Sequence, residues 1–129
     1  MQKTNFENLE IYQLSEKLAD EIWEIVLGWN HLAQDTVGKQ IFRSADSIGA
    51  NIAEGSGRRS NQDYKRFLRI APGSLYETRH WLRRAFKRKL LTKEQIESIT
   101  PIIEKLTPKL NAYLRGIGTY KKDEFDEKE

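Results

Sequence analysis

The chain contains no cysteine. Disulfides, thiolate metal sites and a thiol nucleophile are therefore excluded, and the composition fits a reducing compartment. Histidine is scarce too: only His31 and His80 occur, so any imidazole chemistry rests on those positions. No run approaches the ~20 apolar residues that a bilayer span needs, so no membrane association is expected. The opening stretch Met1-Gln-Lys-Thr-Asn-Phe6 is polar, and no secretory signal is expected. Strand-like alternation and internal repeats are missing as well. What remains is an all-α protein expected in the cytoplasm, and 129 residues suffice for one domain with a real core.

Charge is plentiful and unevenly spread. The formal net charge is only +3. Residues 1–57 nevertheless hold four basic and nine acidic residues, whereas residues 58–93 hold twelve basic and two acidic. Residues 94–120 balance at three each, and residues 121–129 have three basic against five acidic. A near-neutral protein thus carries one strongly basic third, the distribution expected of a chain that meets a polyanion.

Apolar spacing predicts four helices. From about Leu9 to Trp29, Ile11, Leu14, Leu18, Ile22, Ile25 and Trp29 form one stripe, and Tyr12, Ala19, Trp23 and Val26 form a second beside it. Two stripes predict either a wide core face or a core face plus a subunit interface, the latter implying a homo-oligomer. After a connection through Gly28 and Trp29, Asp35 or Thr36 is expected to cap a second helix. It should end near Gly55 or Gly57, where glycine would take the left-handed conformation. Within it, Ile41, Ala45, Ile48 and Ile52 give the core seam, and Ala45, Gly49 and Ala53 form a small-residue row. A helix-interior Gly costs about 1 kcal/mol against Ala, so Gly49 implies close packing in return. Arg43, Asp46, Asn51 and Glu54 lie in or beside the same faces and, if buried, need partners.

Ser60 with Asp63 comes close to a capping box and opens a third helix. Tyr64, Leu68, Ala71, Leu75, Thr78, Leu82 and Ala85 mark its core face, with Phe67, Trp81 and Phe86 beside them. The apolar phase runs through Pro72-Gly73 without a shift, so a kinked continuous helix is favoured over a break. Lys89 to Thr92 reads as a turn, and Thr92 with Gln95 as the capping box of a fourth helix. That helix carries Ile96, Ile99, Ile103, Leu106, Leu110, Tyr113 and Ile117; Pro101 and Pro108 imply either two bends or a restart at Pro101. Residues 121–129 are charged and aperiodic and read as a disordered tail. Four amphipathic helices with short connections predict an up-down-up-down antiparallel four-helix bundle over residues 1–120, packed at ~20°.

Few constellations offer chemistry. Bundle di-metal sites use a Glu-x-x-His on each of two helices. Here only Glu77-Thr-Arg-His80 fits, because Gly28 stands three before His31, and His80 lies among Arg79, Arg83 and Arg84. No metal and no cofactor are expected; Glu77 reads as an ion-pair partner and His80 as solvated or phosphate-facing. Asp46 and Glu54 are two turns apart, about 12 Å along a helix, beyond the ~5–9.5 Å of a glycosidase carboxylate pair. Hydrogen bonding to Arg43, Asn51 or the third helix is the favoured reading. Gly55-Ser-Gly57-Arg-Arg lacks the preceding strand and the Gly-Lys-Ser/Thr ending of a nucleotide loop. It precedes a helix N-terminus where one backbone phosphate could sit.

The basic third is more informative. Arg58, Arg59, Lys65, Arg66 and Arg69 cluster at or before the first half of the third helix. Arg79, Arg83 and Lys87 recur at spacing four, with Arg84 and Arg88 as a second row. Such a like-charge ridge destabilises an isolated helix by a few tenths of a kcal/mol per pair, and arginine suits bidentate phosphate contact. Tyr64, Tyr76 and Trp81 are interleaved and could stack on bases. Nucleic-acid binding through these ten cations competes with a plain solvated face that meets the acidic first helix or the acidic tail.

Two runs carry a resemblance: Arg43 to Arg58, containing Asn51-Ile-Ala-Glu-Gly55, and Asp63 to Glu77. Together with Phe6-Glu-Asn-Leu9 they resemble the four-helix-bundle family of 23S rRNA intervening-sequence proteins, loosely labelled a ribosomal protein family, over about residues 5–118. The resemblance implies a bacterial up-down bundle, a ring-like homopentamer and no catalytic activity. It also implies that Arg43, Asp46, Asn51, Glu54 and Gly55 are structural signature residues. A related branch, the accessory protein of diversity-generating retroelements, binds a reverse transcriptase and nucleic acid through a basic surface. The expectation is a non-catalytic oligomer binding RNA or DNA, with a scaffold for an acidic protein partner as the alternative.

Overall fold

The computed structural model describes residues 6–118; the tail 121–129 lies outside them. A 3-10 turn over Phe6–Asn8 leads into α1 (Glu10–Leu27), followed by α2 (Lys39–Ser56), α3 (Asn61–Lys87) and α4 (Lys93–Gly118). α1 packs on α2 and α4, and α3 packs on the same two helices. With short connections this is the expected antiparallel bundle, in which the α1–α2 seam and the α3–α4 seam lie on opposite sides. Among the described residues there is no strand.

The core follows the helical stripes. Leu18, Ile22, Ile41, Ile48, Ile52, Leu68, Leu106 and Leu110 are fully buried, each contributing about 1.5–3 kcal/mol of hydrophobic stabilisation. On α4 the buried face runs Ile99, Ile102, Leu106, Leu110, so Ile102 takes the inner place expected of Ile103, which is only partly covered. The second stripe of α1 divides: Val26 is buried while Trp23 is exposed. Glu10 on α1 pairs with Lys105 at 3.6 Å and Lys109 at 3.3 Å on α4.

The connection after α1 is shorter than expected. Asn30, in extended backbone, accepts from the Ala33 N–H at 2.9 Å and caps a helical turn, His31–Ala33. A five-residue π-helix, Gln34–Gly38, then merges into α2. Asp35 and Thr36 are therefore interior residues, not caps, and the Thr36 hydroxyl donates back to the Leu32 carbonyl at 2.7 Å. Gln34 Nε2 donates to the carbonyls of Val26 at 3.0 Å and Leu27 at 3.2 Å, satisfying the end of α1. At the far end of α2, Gly57 has φ −87°, so the left-handed stop expected there does not form. The left-handed residue is Lys89, at φ 61°. Leu90 N–H bonds the Ala85 carbonyl at 2.9 Å and Lys89 N–H the Phe86 carbonyl at 3.0 Å, a Schellman ending to α3. Trp29 Nε1 donates to the Leu90 carbonyl at 2.9 Å, tying the α1–α2 connection to the α3–α4 turn at one end of the bundle.

All three prolines lie inside continuous helices. Pro101 and Pro108 are exposed, and so are Glu97 and Glu104, the residues four earlier whose carbonyls a proline deprives of a helical partner. Thr92 and Gln95 form the expected reciprocal capping box, at 2.9 and 3.1 Å.

Glycine is required where helices meet closely. A β-carbon on Gly55 would lie 3.2 Å from the Tyr64 carbonyl oxygen and 3.3 Å from Phe67 Cβ, whereas one on Gly73 meets nothing within 4 Å. Gly55→Ala should therefore destabilise the bundle by about 1–3 kcal/mol through overpacking, and Gly73→Ala should stabilise it by about 1 kcal/mol through helix propensity. Urea unfolding of the two variants checks the opposite signs.

Candidate nucleic-acid interface

α3 is held by a polar seam against α2. Ser44 Oγ and Thr78 Oγ1 are buried and 3.0 Å apart. Ser47 Oγ lies 2.9 Å from Ser74 Oγ, and Asn51 Nδ2 donates to the Ser47 carbonyl at 2.8 Å and to Ser47 Oγ at 2.9 Å. Arg43 closes the seam from outside, donating to Glu77 Oε2 at 3.2 Å, an oxygen that also accepts from Trp81 Nε1 at 3.1 Å. Sequence reasoning placed Thr78 on the core face but missed Ser44, Ser47 and Ser74 and the pairing of the hydroxyls. The available signal was Ser44 and Ser47, three apart beside the α2 core seam, facing Ser74 and Thr78, four apart within the α3 stripe. Each such hydrogen bond contributes about 1 kcal/mol net, and more is lost if a partner is stranded.

Residues expected to need buried partners are mostly at the surface. Arg43, Asp46 and Glu54 are exposed, Asn51 is half-buried and Gly55 is buried. Glu54 pairs with Arg58 of its own chain segment, one turn on, and not with α3. Asp46 stands near Asp20 of α1; desolvation, then repulsion from Asp20, raises its carboxyl above the ordinary range.

The packed face of α3 leaves its cations outside, in two groups. Arg58, Arg59, Lys65, Arg66 and Arg69 lie at its lower end, and Arg79, Arg83, Arg84, Lys87 and Arg88 at its upper end. Ten residues, ~15 Å, separate Arg69 from Arg79. Arg58 and Arg66 are engaged: both guanidinium groups lie over the Phe67 ring, at 4.6 and 5.0 Å, and Arg66 pairs with Asp63 at 3.4 Å. Among the described residues the other eight form no ion pair. Only one of the three proposed stacking aromatics is available. Tyr64 is half-buried with its hydroxyl against that of Tyr113, and Trp81 is half-buried on Glu77, but Tyr76 is 67% exposed between the two groups. The N-terminus of α3 is already served, since Ser60 Oγ accepts from the Asp63 N–H at 3.0 Å and the Asp63 carboxylate sits in the same turn. That disfavours a phosphate there.

Among the described residues no three His, Asp or Glu side chains gather as metal ligands. His80 packs edge-on against Trp81, ring centroids 4.8 Å apart. No helix of the described residues is long and apolar enough to cross a membrane.

Residues 7–112 match the family described as 23S rRNA-intervening sequence protein. The chain belongs to that family. A solved relative is the crystal structure of a protein of unknown function from the S23 ribosomal protein family of Bacteroides thetaiotaomicron, 29% identical, with a TM-score of 0.70 over 81% of this chain and 95% of that one. No curated protein matches.

The intervening-sequence motif Asn51 to Gly55 now has a physical reading in this member. Asn51 fastens the Ser47–Ser74 contact, Ile52 is fully buried, and Gly55 admits the backbone of α3. Asp46, on the side of α2 that faces Asp20 of α1, gives the bundle a pH dependence. Its raised folded-state pKa means that ionising it disfavours the fold, so its contribution is most favourable at low pH and is lost as pH rises through that pKa. Asp46→Asn should therefore be more stable than the parent at neutral pH. The difference should shrink as pH falls through the carboxylate range, which thermal melts at a series of pH values will show.

Proposed function

We propose that this protein is a non-catalytic nucleic-acid-binding bundle that holds RNA or DNA along the outer face of α3. The observation that carries this reading is the set of eight cations on and around α3 that lack an acidic partner among the described residues, spread along a 27-residue helix of about 40 Å. Their packing is not needed for the core, since they point away from it. Like-charge crowding of this kind opposes helix stability, and a polyanion relieves it. Tyr76 offers one exposed ring between the two groups, and the open Gly73 one turn before it leaves room for a backbone to approach. Recognition would rest on phosphates, so it would be weakly sequence-selective. The family description names a ribosomal RNA element, which is in keeping with a nucleic-acid partner but does not specify one.

An acidic protein is the competing partner for the same surface. A pull-down from lysate with and without nuclease separates them: a partner retained after nuclease treatment favours the protein.

Binding should weaken steeply with salt, each neutralised phosphate contributing about −0.9 to the log–log slope on duplex DNA and about −0.7 on single strands. Lys65→Ala and Arg69→Ala should each reduce the magnitude of that slope by about 1, with little change in sequence preference. Fluorescence-anisotropy titrations over a salt series read both quantities. Salt-independent binding, or none to structured RNA at low salt, would refute the proposal.

A further inference from the structure

The outer face of α3 carries its side chains in a definite order. Arg69, Tyr76 and Arg83 stand seven residues apart and so fall in one line along the helix. Arg79 lies beside that line, one turn beyond Tyr76. All four are exposed, and among the described residues the three arginines form no ion pair. The line reads cation, aromatic, cation, with about 10 Å along the axis from Tyr76 to Arg69 on one side and to Arg83 on the other.

At Tyr76 this line borders α4. Pro72, Tyr76 and Arg79 face Thr107, Leu110 and Asn111 across a shallow cleft. α4 then runs on to Gly118, antiparallel to α3. Its end therefore lies about 10–16 Å from the level of Tyr76, beside the first turns of α3. The contact between the Tyr64 and Tyr113 hydroxyls fixes the same direction. The chain leaves the bundle close to Lys65 and Arg69.

The sequence that follows complements the line. Asp123-Glu124-Phe125-Asp126-Glu127 is two acids, an aromatic and two acids, with Lys121 and Lys122 before it and Lys128 after it. Phe125 is seven residues beyond Gly118, and seven residues span at most about 25 Å. That reaches the level of Tyr76 with length to spare for the step from α4 to α3. With Phe125 at Tyr76, the acids on its two sides fall toward Arg69 and toward Arg79 and Arg83.

We propose that the run Asp123 to Glu127 folds back onto α3 of its own chain, Phe125 against Tyr76 and the acids on the flanking arginines. There it occupies the place of a polyanion and competes with one. The competition rests on the nucleic-acid reading of α3; the docking does not. A tethered segment acts at an effective concentration in the millimolar range, so weak, exposed ion pairs suffice to hold it. The order of the residues favours this occupant over a plain run of carboxylates, because the aromatic falls between two pairs of acids as Tyr76 falls between its arginines.

Two full-length variants test the proposal, with folding checked by circular dichroism. One is neutralised by Asp123→Asn, Glu124→Gln, Asp126→Asn and Glu127→Gln together; the other is Phe125→Ala, which leaves the charge unchanged. Fluorescence anisotropy with a structured RNA and a single-stranded DNA at low salt should show the neutralised chain binding about fivefold tighter than the parent, the size expected of a few exposed ion pairs. Phe125→Ala should bind about twofold tighter, and both gains should vanish at ~1 M salt, where screening acts within about 3 Å. A neutralised chain that binds no tighter than the parent overturns the competition. An effect of neutralisation with none from Phe125→Ala overturns the contact at Tyr76 and leaves long-range repulsion alone. Docking is read separately. Because the chain has no cysteine, Glu129→Cys gives a single site for a nitroxide label, whose spectrum should be broad in the parent background and sharpen on neutralisation. Equal spectra in the two backgrounds overturn the fold-back. If no chain binds either probe at low salt, the nucleic-acid reading falls and the competition with it, while the label still decides the docking.

Discussion

A β-carbon on Gly38 would lie 2.9 Å from Val26 Cγ1, and one on Gly55 would lie 3.2 Å from the Tyr64 carbonyl oxygen. α2 is thus pressed against α1 near its start and against α3 at its end, at distances that no larger residue accommodates without movement. Gly49, between them, faces Tyr12 at ordinary contact distance, with 3.4 Å from a virtual β-carbon to Cε1. The rest of the bundle depends on this approach. It brings small hydroxyls on α2 and α3 within 3.0 Å of one another, where longer side chains would hold the helices apart. Those bonds in turn fix the rotation of α3 about its own axis. A hydrogen-bonded seam tolerates less rotation than a purely aliphatic one, because hydrogen bonds weaken steeply with misalignment.

The rotation of α3 decides where its charge goes. Leu68, Ala71, Leu75, Thr78 and Ala85 are buried, so Lys65, Arg69, Arg83 and Lys87 are turned away from the core. A helix with that many like charges is poor in isolation, and the tertiary packing of its apolar face must offset the repulsion. The only acid in its middle, Glu77, is occupied by Arg43 and Trp81 at the α2 seam. It therefore does little to neutralise the outer face. The field of α3 remains largely uncompensated within the chain, despite a net charge of only +3.

Most of the architecture was legible in the sequence because helical periodicity reports burial directly. The core stripes of α1, α2 and α3, the Ser60 and Thr92 caps and the unbroken phase across Pro72 appear where spacing put them, and the α4 stripe does so but for Ile102 in the place of Ile103. The connection before α2 was not legible. Asn30 competes with Asp35 and Thr36 as a cap, all three being residues that suit the role, and the π-helix adds a residue that the regular period does not anticipate. The polar residues of α2 misled for a related reason. Periodicity ranks charged groups by face but says nothing of reach, and the long Arg43 and Glu54 side chains escape to the surface while short serines stay inside. On the candidate interface, the position of the cations was readable and the fate of the aromatics was not. Tyr64 and Trp81 have polar tips that found partners within the bundle, a tertiary outcome invisible to local spacing.

The uneven charge also bears on why a basic strip coexists with an acidic α1. If the acidic half of the chain were merely a counterweight, its carboxylates would be expected to pair with the cations of the same bundle. Instead the ion pairs of Glu10 go to α4, and Asp20 and Asp46 are left repelling one another beside an exposed tryptophan. Exposed charges on opposite faces of a bundle lie more than a Debye length of about 10 Å apart and are screened from one another by salt. The basic face of α3 thus keeps its field at the surface, where an outside polyanion would meet it.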